Sequence, residues 1–147
     1  MKFYVATDHA GIELKNWTVE FLKEKGFEVE DLGPYTTERV DYPDFAKKVA
    51  LAVQNDSKSQ GILICGSGIG MSMTANRFKG IRAALCHDAY TAEMARKHND
   101  ANILCYGERI VGKGVAESIL NAWLENTFEG GRHTGRVLKI EAAGCSN

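Results

Sequence analysis

The chain has 147 residues, 18 Lys and Arg against 19 Asp and Glu, a formal net charge of -1 and 44% apolar side chains. That length predicts one domain over 1–147 with a substantial core, and the near balance of charge excludes a broad electrostatic footprint for nucleic acid or anionic membrane. No apolar run reaches the ~18 residues that span a bilayer, and the N-terminus lacks the apolar stretch and small-residue cleavage site of a secretory signal.

Apolar, β-branched runs alternate with amphipathic stretches. Phe3 to Ala6 predicts a first strand. Leu14, Trp17, Phe21 and Leu22 then recur at helical spacing, and Gly26 closes that helix. Phe27 to Leu32 alternates like a strand near a sheet edge, and Gly33-Pro34 turns the chain. Asp41-Tyr42-Pro43-Asp44 is a helix-start signature, followed by the stripe Phe45, Val49, Val53. Gly61 to Cys65 is apolar on both sides, as in the middle of a covered parallel sheet.

Ile81 to Cys86 and Ala101 to Cys105 are the next strands. Between them Asp88 caps a helix that runs to about His98 and ends at Asn99. Val115, Ile119, Ala122 and Trp123 mark another helix, and a last one runs from about Arg132 to Ala143. The alternation predicts a three-layer α/β/α, Rossmann-like, doubly wound sheet of about five parallel strands. Ligands of such folds bind beyond the carboxyl ends of the strands. That directs attention to Asp8-His9, Cys65 to Gly70, Cys86-His87-Asp88 and Tyr106 to Arg109.

Cys65, Cys86, Cys105 and Cys145 are widely spaced, with no C-x-x-C pair, so neither a zinc knuckle nor a disulfide framework is expected. The expectation is a reduced, cytoplasmic protein with no cofactor and no metal. Cys86 and Cys105 read as core, His87 as loop, and Cys145 as part of a frayed tail.

The sharpest local signal is Cys65-Gly66-Ser67-Gly68-Ile69-Gly70, at a strand end and opening a helix. Glycines at alternate positions let backbone N–H groups approach a negative charge. The dinucleotide pattern G-x-G-x-x-G would need Gly where Met71 stands, and no Gly-Lys-Ser/Thr follows for a Walker loop. Nor is it the Cys-x5-Arg loop of cysteine phosphatases, whose arginine position is also Met71. A Cys at a helix N-terminus is a candidate nucleophile or base, and a buried core Cys beside a tight turn is the plainer alternative.

Asp8-His9 suits sugar hydroxyls and an anionic group, or else a helix cap beside an exposed His. His98, at a helix C-terminus that favours the imidazolium, is a candidate general acid or simply a partner of the helix dipole. Arg132 and Arg136, four apart, put their Cβ atoms ~5–6 Å from each other on one helix face, where two guanidinium groups can grip a phosphate or form a solvated basic surface. Arg109 is a third candidate for anion contact, on the ligand side of the sheet. A Gly loop with an activatable thiol, a His acid and several Arg are the needs of a metal-free isomerase that moves a proton along a phosphorylated sugar.

Together with Asp41 to Asp44, Asn76-Arg77, Asn99 and Gly130-Gly131-Arg132-His133, these motifs resemble the ribose/galactose isomerase family, in order and over essentially the whole chain. The resemblance implies interconversion of ribose 5-phosphate and ribulose 5-phosphate through a cis-enediolate, without metal or nucleotide. It implies Cys65 as the base, the amides of Gly66, Ser67, Gly68, Ile69 and Gly70 as the anion hole, and the Ser67 hydroxyl as an aid to proton movement. His98 would open the furanose ring, with Asp8, Tyr42 and Asn99 near the sugar and His9, Arg109, Arg132 and Arg136 on the phosphate.

Relatives of this kind are homodimers or homotetramers with each site built from two chains. The segment about 129–147 would then contribute to the phosphate site and the dimer contacts. Many relatives have Thr at position 67, and Ser67 keeps the hydroxyl. One branch replaces the cysteine base by a carboxylate, and Cys65 places this chain outside it. A six-carbon aldose 6-phosphate, of allose or galactose, is the alternative substrate, and a non-catalytic sugar-phosphate-binding module the alternative class.

Overall fold

The computed structural model describes residues 1–144, so Cys145 lies outside the described residues. Five parallel strands, β1 (Lys2–Thr7), β2 (Glu28–Asp31), β3 (Gln60–Cys65), β4 (Ala83–Leu85) and β5 (Ile103–Gly107), pair in the order β2-β1-β3-β5-β4. The helices are α1 (Ile12–Glu24), α2 (Tyr42–Gln54), α3 (Ile69–Ala75), α4 (Ala89–Asn99), α5 (Lys113–Glu125) and α6 (Arg132–Ala142).

Right-handed crossovers decide which helix covers which face. α1 leads from β1 outward to β2, and α4 leads from β4 back to β5, in the same direction along the sheet. With α5 they bury Leu14, Leu22, Ala92, Ile119 and Trp123 on one face. The connections through α2 and α3 travel the other way and bury Val49, Val53, Met71 and Ala75 on the opposite face. The result is the three-layer, doubly wound architecture that the alternation predicts. β3 is central and buried from Gly61 to Cys65, and β2 is an edge strand, both as expected. Gly26 closes α1, with its N–H on Lys23 O (2.9 Å) and the Phe27 N–H on Leu22 O (3.1 Å).

Several boundaries differ from the sequence reading. β4 is shorter than Ile81–Cys86 because it is an edge strand. The Asn76 side chain takes both polar groups of Ala83, donating to its carbonyl (2.9 Å) and accepting from its N–H (2.8 Å). β5 starts two residues later than Ala101, since Asn102 turns its side chain to the backbone of Gly80 and Arg82. It also ends later, so Tyr106 is a fully buried core residue and not part of the ligand loop. Its hydroxyl bonds Thr18 Oγ1 on α1 at 2.5 Å.

On α5, Val115 is 43% exposed and Ala116 points inward instead. The left-handed residue that ends α4 is Asp100, not Asn99. Lys15, a charged residue on α1, is fully buried, with Nζ 2.7 Å from Asp31 Oδ2, and so ties α1 to the end of β2.

Candidate active site

Strand order reverses between β1 and β3, so the loops at their carboxyl ends diverge and leave a crevice. A cleft of about 550 Å³ lies there, lined by Asp8, His9 and Ala10 after β1, Cys65 to Ser67, Ile69 and Gly70 after β3, Arg109 and Ile110 after β5, and Tyr42 and Met73.

Backbone bonds fix the floor of this cleft. The N–H groups of Glu108 and Arg109 donate to the carbonyls of Cys65 (2.9 Å) and Gly66 (3.0 Å), laying the β5 loop on the β3 loop. Glu108 Oε1 accepts the Leu14 N–H at 2.7 Å, joining the start of α1 to both. Cys65 is 5% exposed, and the Gly68 N–H donates to its Sγ at 3.1 Å. The Ile69 N–H donates to Ser67 Oγ at 3.2 Å. Gly68 holds φ at +79°, which a side chain would strain. A Cβ at Gly70 would collide with the Tyr42 ring, so this glycine lets the first residue of α2 close over the loop.

Asp8 is buried, and its Oδ1 caps the turn by accepting the Ala10 N–H at 2.9 Å, while the residue still lines the cleft. His9 Nδ1 meets the Val40 backbone at 3.2 Å, which anchors the segment leading into α2. Asp41 precedes α2 but makes no side-chain cap bond. Around the mouth, Ile69 (50%), Met73 (68%) and Ile110 (54%) are exposed apolar side chains.

The remaining candidates lie elsewhere. A helix that follows a strand in a parallel sheet returns to the sheet's amino end. α4 has 11 residues, about 16 Å of axis, so His98 and Asn99 are carried to the end opposite Cys65. His98 stacks on His133 with ring centroids 4.2 Å apart and planes 15° apart. The Glu129 N–H donates to Lys97 O at 3.0 Å, pinning the segment before α6 on the end of α4. Glu129 Oε1 lies 3.6 Å from Nε2 of both histidines.

His133 is 5% exposed. Its burial, then the charges of Arg132 and His98, hold its imidazole below the ordinary range. Arg132 and Arg136 are exposed on α6, without a hydrogen bond or ion pair among the described residues. The far end of α6 is fixed by Glu141, which pairs with Arg82 and accepts the Gly80 N–H at 3.2 Å.

The sequence candidates therefore fall into two groups within one chain. Asp8, His9, Tyr42, Cys65 to Ser67, Ile69, Gly70 and Arg109 line one cleft, and Gly68 lies buried beneath it with its N–H on the Cys65 thiol. His98, Asn99, Arg132 and Arg136 line no part of that cleft. Donor atoms of His98, Glu129 and His133 lie within 4.8 Å of one another, a grouping that the sequence reading did not single out. They come from two elements far apart in sequence, so no spacing pattern marks them. Glu129, four residues before His133 and beside the two arginines, was the available hint. Glu108, the clasp between three loops, carried no signal in the sequence.

Fold and cleft place the molecule among Rossmann-like α/β proteins with a small-molecule site at the switch point of the sheet. Residues 3–140 match the Ribose/Galactose Isomerase family, and the chain belongs to it. It is 48% identical to ribose-5-phosphate isomerase B of Escherichia coli K12 over 141 residues, 96% of this chain and 95% of the relative. The ribose-5-phosphate isomerase B structure from Clostridium thermocellum superposes with a TM-score of 0.96 at 50% identity, covering 99% of this chain and 98% of that one. That from Mycoplasma genitalium, which has ribulose-5-phosphate bound, gives 0.94 at 44% identity, covering 99% and 97%.

Proposed function

We propose that the chain is an aldose-ketose isomerase interconverting D-ribose 5-phosphate and D-ribulose 5-phosphate through a cis-enediolate, as its likeness to ribose-5-phosphate isomerase B supports. The observation that carries the mechanism is the Cys65 thiol, set in the cleft on the Gly68 amide among the N–H groups of a glycine loop. Cys65 takes the proton from the carbon beside the carbonyl and returns it to the neighbouring carbon. Charge then develops on the enediolate oxygens, where the amides from Gly66 to Gly70 act as an oxyanion hole. One such donor is worth roughly 3 kcal/mol of barrier. The Ser67 hydroxyl moves the proton between the two oxygens, and Asp8 and Tyr42 hold the sugar.

Ring opening requires an acid, and His98 takes that role from a second copy of the chain. Its place at the far end of α4 supports this, since no side chain spans the helix back to Cys65. Asn99, Arg132 and Arg136 come with it, so that His9 and Arg109 of one copy meet Arg132 and Arg136 of the other around the phosphate. The exposed Ile69, Met73 and Ile110 suit burial against that partner. On this reading 1–147 is one catalytic domain, and the segment from about 129 onward reaches the neighbouring site. A cytoplasmic location fits the free thiols of Cys65, Cys86 and Cys105.

The test is a coupled assay of the full chain on ribose 5-phosphate, allose 6-phosphate and galactose 6-phosphate side by side. The expected result is the highest kcat/KM on the pentose. A higher value on either hexose moves the assignment to that sugar, and no turnover of any leaves a binding module.

A further inference from the structure

Behind His98, three metal-binding atoms already converge: Nε2 of His98, Nε2 of His133 and Oε1 of Glu129. His133 Nε2 is buried and has no hydrogen-bond partner among the described residues, because Glu129 Oε1 stops 3.6 Å short of it. A buried nitrogen left in this way is a defect unless something occupies the gap. We infer that His98, Glu129 and His133 form a binding site for a divalent transition metal of the zinc class, which within one chain lies outside the cleft around Cys65.

The donor set, two imidazoles and one carboxylate with a position left open, matches zinc chemistry. A tetrahedral zinc with bonds of 2.0–2.1 Å needs its ligand atoms about 3.3 Å apart. Glu129 Oε1 is 3.6 Å from each Nε2 and the three donor atoms lie within 4.8 Å of one another, so closure draws them together through a rotation of the half-exposed His98 ring. Arg132 and Arg136 face the same cluster and oppose a cation. Occupancy is therefore reversible, and the two nitrogens discriminate against magnesium and calcium. The site itself stands on this geometry. Its effect on turnover rests on the reading of His98 as the ring-opening acid, because a metal on Nε2 leaves that acid no proton to give.

Calorimetric titration of the metal-free full chain with Zn²⁺, in a non-chelating buffer near neutral pH, tests the site. One equivalent per chain is expected, at least about tenfold weaker in Glu129→Gln and in His133→Phe, with no heat from Mg²⁺. Co²⁺ should give the visible absorption of a low-coordinate nitrogen–oxygen site, and Cys65→Ser should bind as the parent does. Equal affinity in the parent and Glu129→Gln, or binding lost in Cys65→Ser alone, overturns the proposal. Isomerase activity should fall on Zn²⁺ addition and return with EDTA. Binding that depends on Glu129 without any effect on rate supports the metal site and removes His98 from the reaction.

Discussion

The loops at the carboxyl ends of β1, β3 and β5 and the surface where α4 meets α6 carry two groups of polar side chains built in different ways. In the first, the main chain does the positioning. Glu108 and Arg109 N–H groups clasp the carbonyls of Cys65 and Gly66, and Gly68 hands its N–H to the thiol. In the second, side chains stand on helical spacing with little around them. Arg132 and Arg136 are free of hydrogen bonds and ion pairs among the described residues, and His98 is held by a stacked ring and a nearby carboxylate. The first region is organised within a single chain, whereas the second leaves its guanidinium groups without partners among the described residues, which is the state the proposed phosphate and second copy would change.

The largest expected effect breaks the first region alone. Cys65→Ala should lower turnover by about 10²-fold or more, the scale of losing a positioned base. Near-normal turnover in that variant would reduce Cys65 to a packing residue. His98→Asn should also be poorly active, and co-refolding it with Cys65→Ala then sharpens the comparison. In a random mixture of dimers half are hybrids, and one of their two sites carries neither substitution, so roughly a quarter of parental activity should return. No recovery from such a mixture would mean that the two regions do not serve one shared site.

Smaller losses are expected where the second region only grips. Arg132→Ala and Arg136→Ala each remove a charge-assisted hydrogen bond, worth roughly 1.5–3 kcal/mol. That is about a ten- to hundred-fold fall in kcat/KM, mostly in KM. A fall confined to kcat at unchanged KM would instead place these guanidiniums on the reacting end of the sugar.

The contrast also explains what was legible in the sequence. Period and punctuation carried the layers, and β3 is central because Gly61 to Cys65 is apolar on both sides. The insertion of β5 between β3 and β4 has no local signature, since pairing partners are chosen by packing across the sheet. The Cys65 loop was readable because close backbone approach demands glycine. Tyr106 was misplaced because a strand that ends in Tyr106-Gly107 looks locally like the start of a loop. Lys15 was missed because helical spacing says nothing about a carboxylate arriving from another strand. The separation of His98 from Cys65 follows from the alternation alone, once α4 is known to end at His98 and Asn99.

A smaller effect again is expected in the core, at the buried Tyr106 hydroxyl. Tyr106→Phe removes one buried hydroxyl, while Thr18 keeps its bond to Leu14 O at 2.8 Å. The loss should be about 1 kcal/mol, or a fall of roughly 2–4 °C in Tm, with kcat/KM nearly unchanged because Tyr106 lies outside the cleft. A large loss of activity at unchanged Tm would return Tyr106 to the site.

The smallest effect separates the two regions by pH. Burial, with Arg132 and His98, holds the His133 imidazole below its ordinary value of 6.5. Between that folded value and 6.5 the unfolded chain carries a proton that the folded chain does not. Unfolding is therefore favoured as pH falls through this window, and the contribution of a neutral His133 is fully present only above it. His133→Phe keeps an aromatic plate beneath His98 and removes the titration. Its curve of Tm against pH should lose stability less steeply on the acid side than the parent's, and the two curves should run parallel above neutrality. Parallel curves throughout would mean that His133 takes up its proton as readily in the folded chain as in the unfolded one. In that case neither burial nor the charges of Arg132 and His98 would weigh on the His133 imidazole.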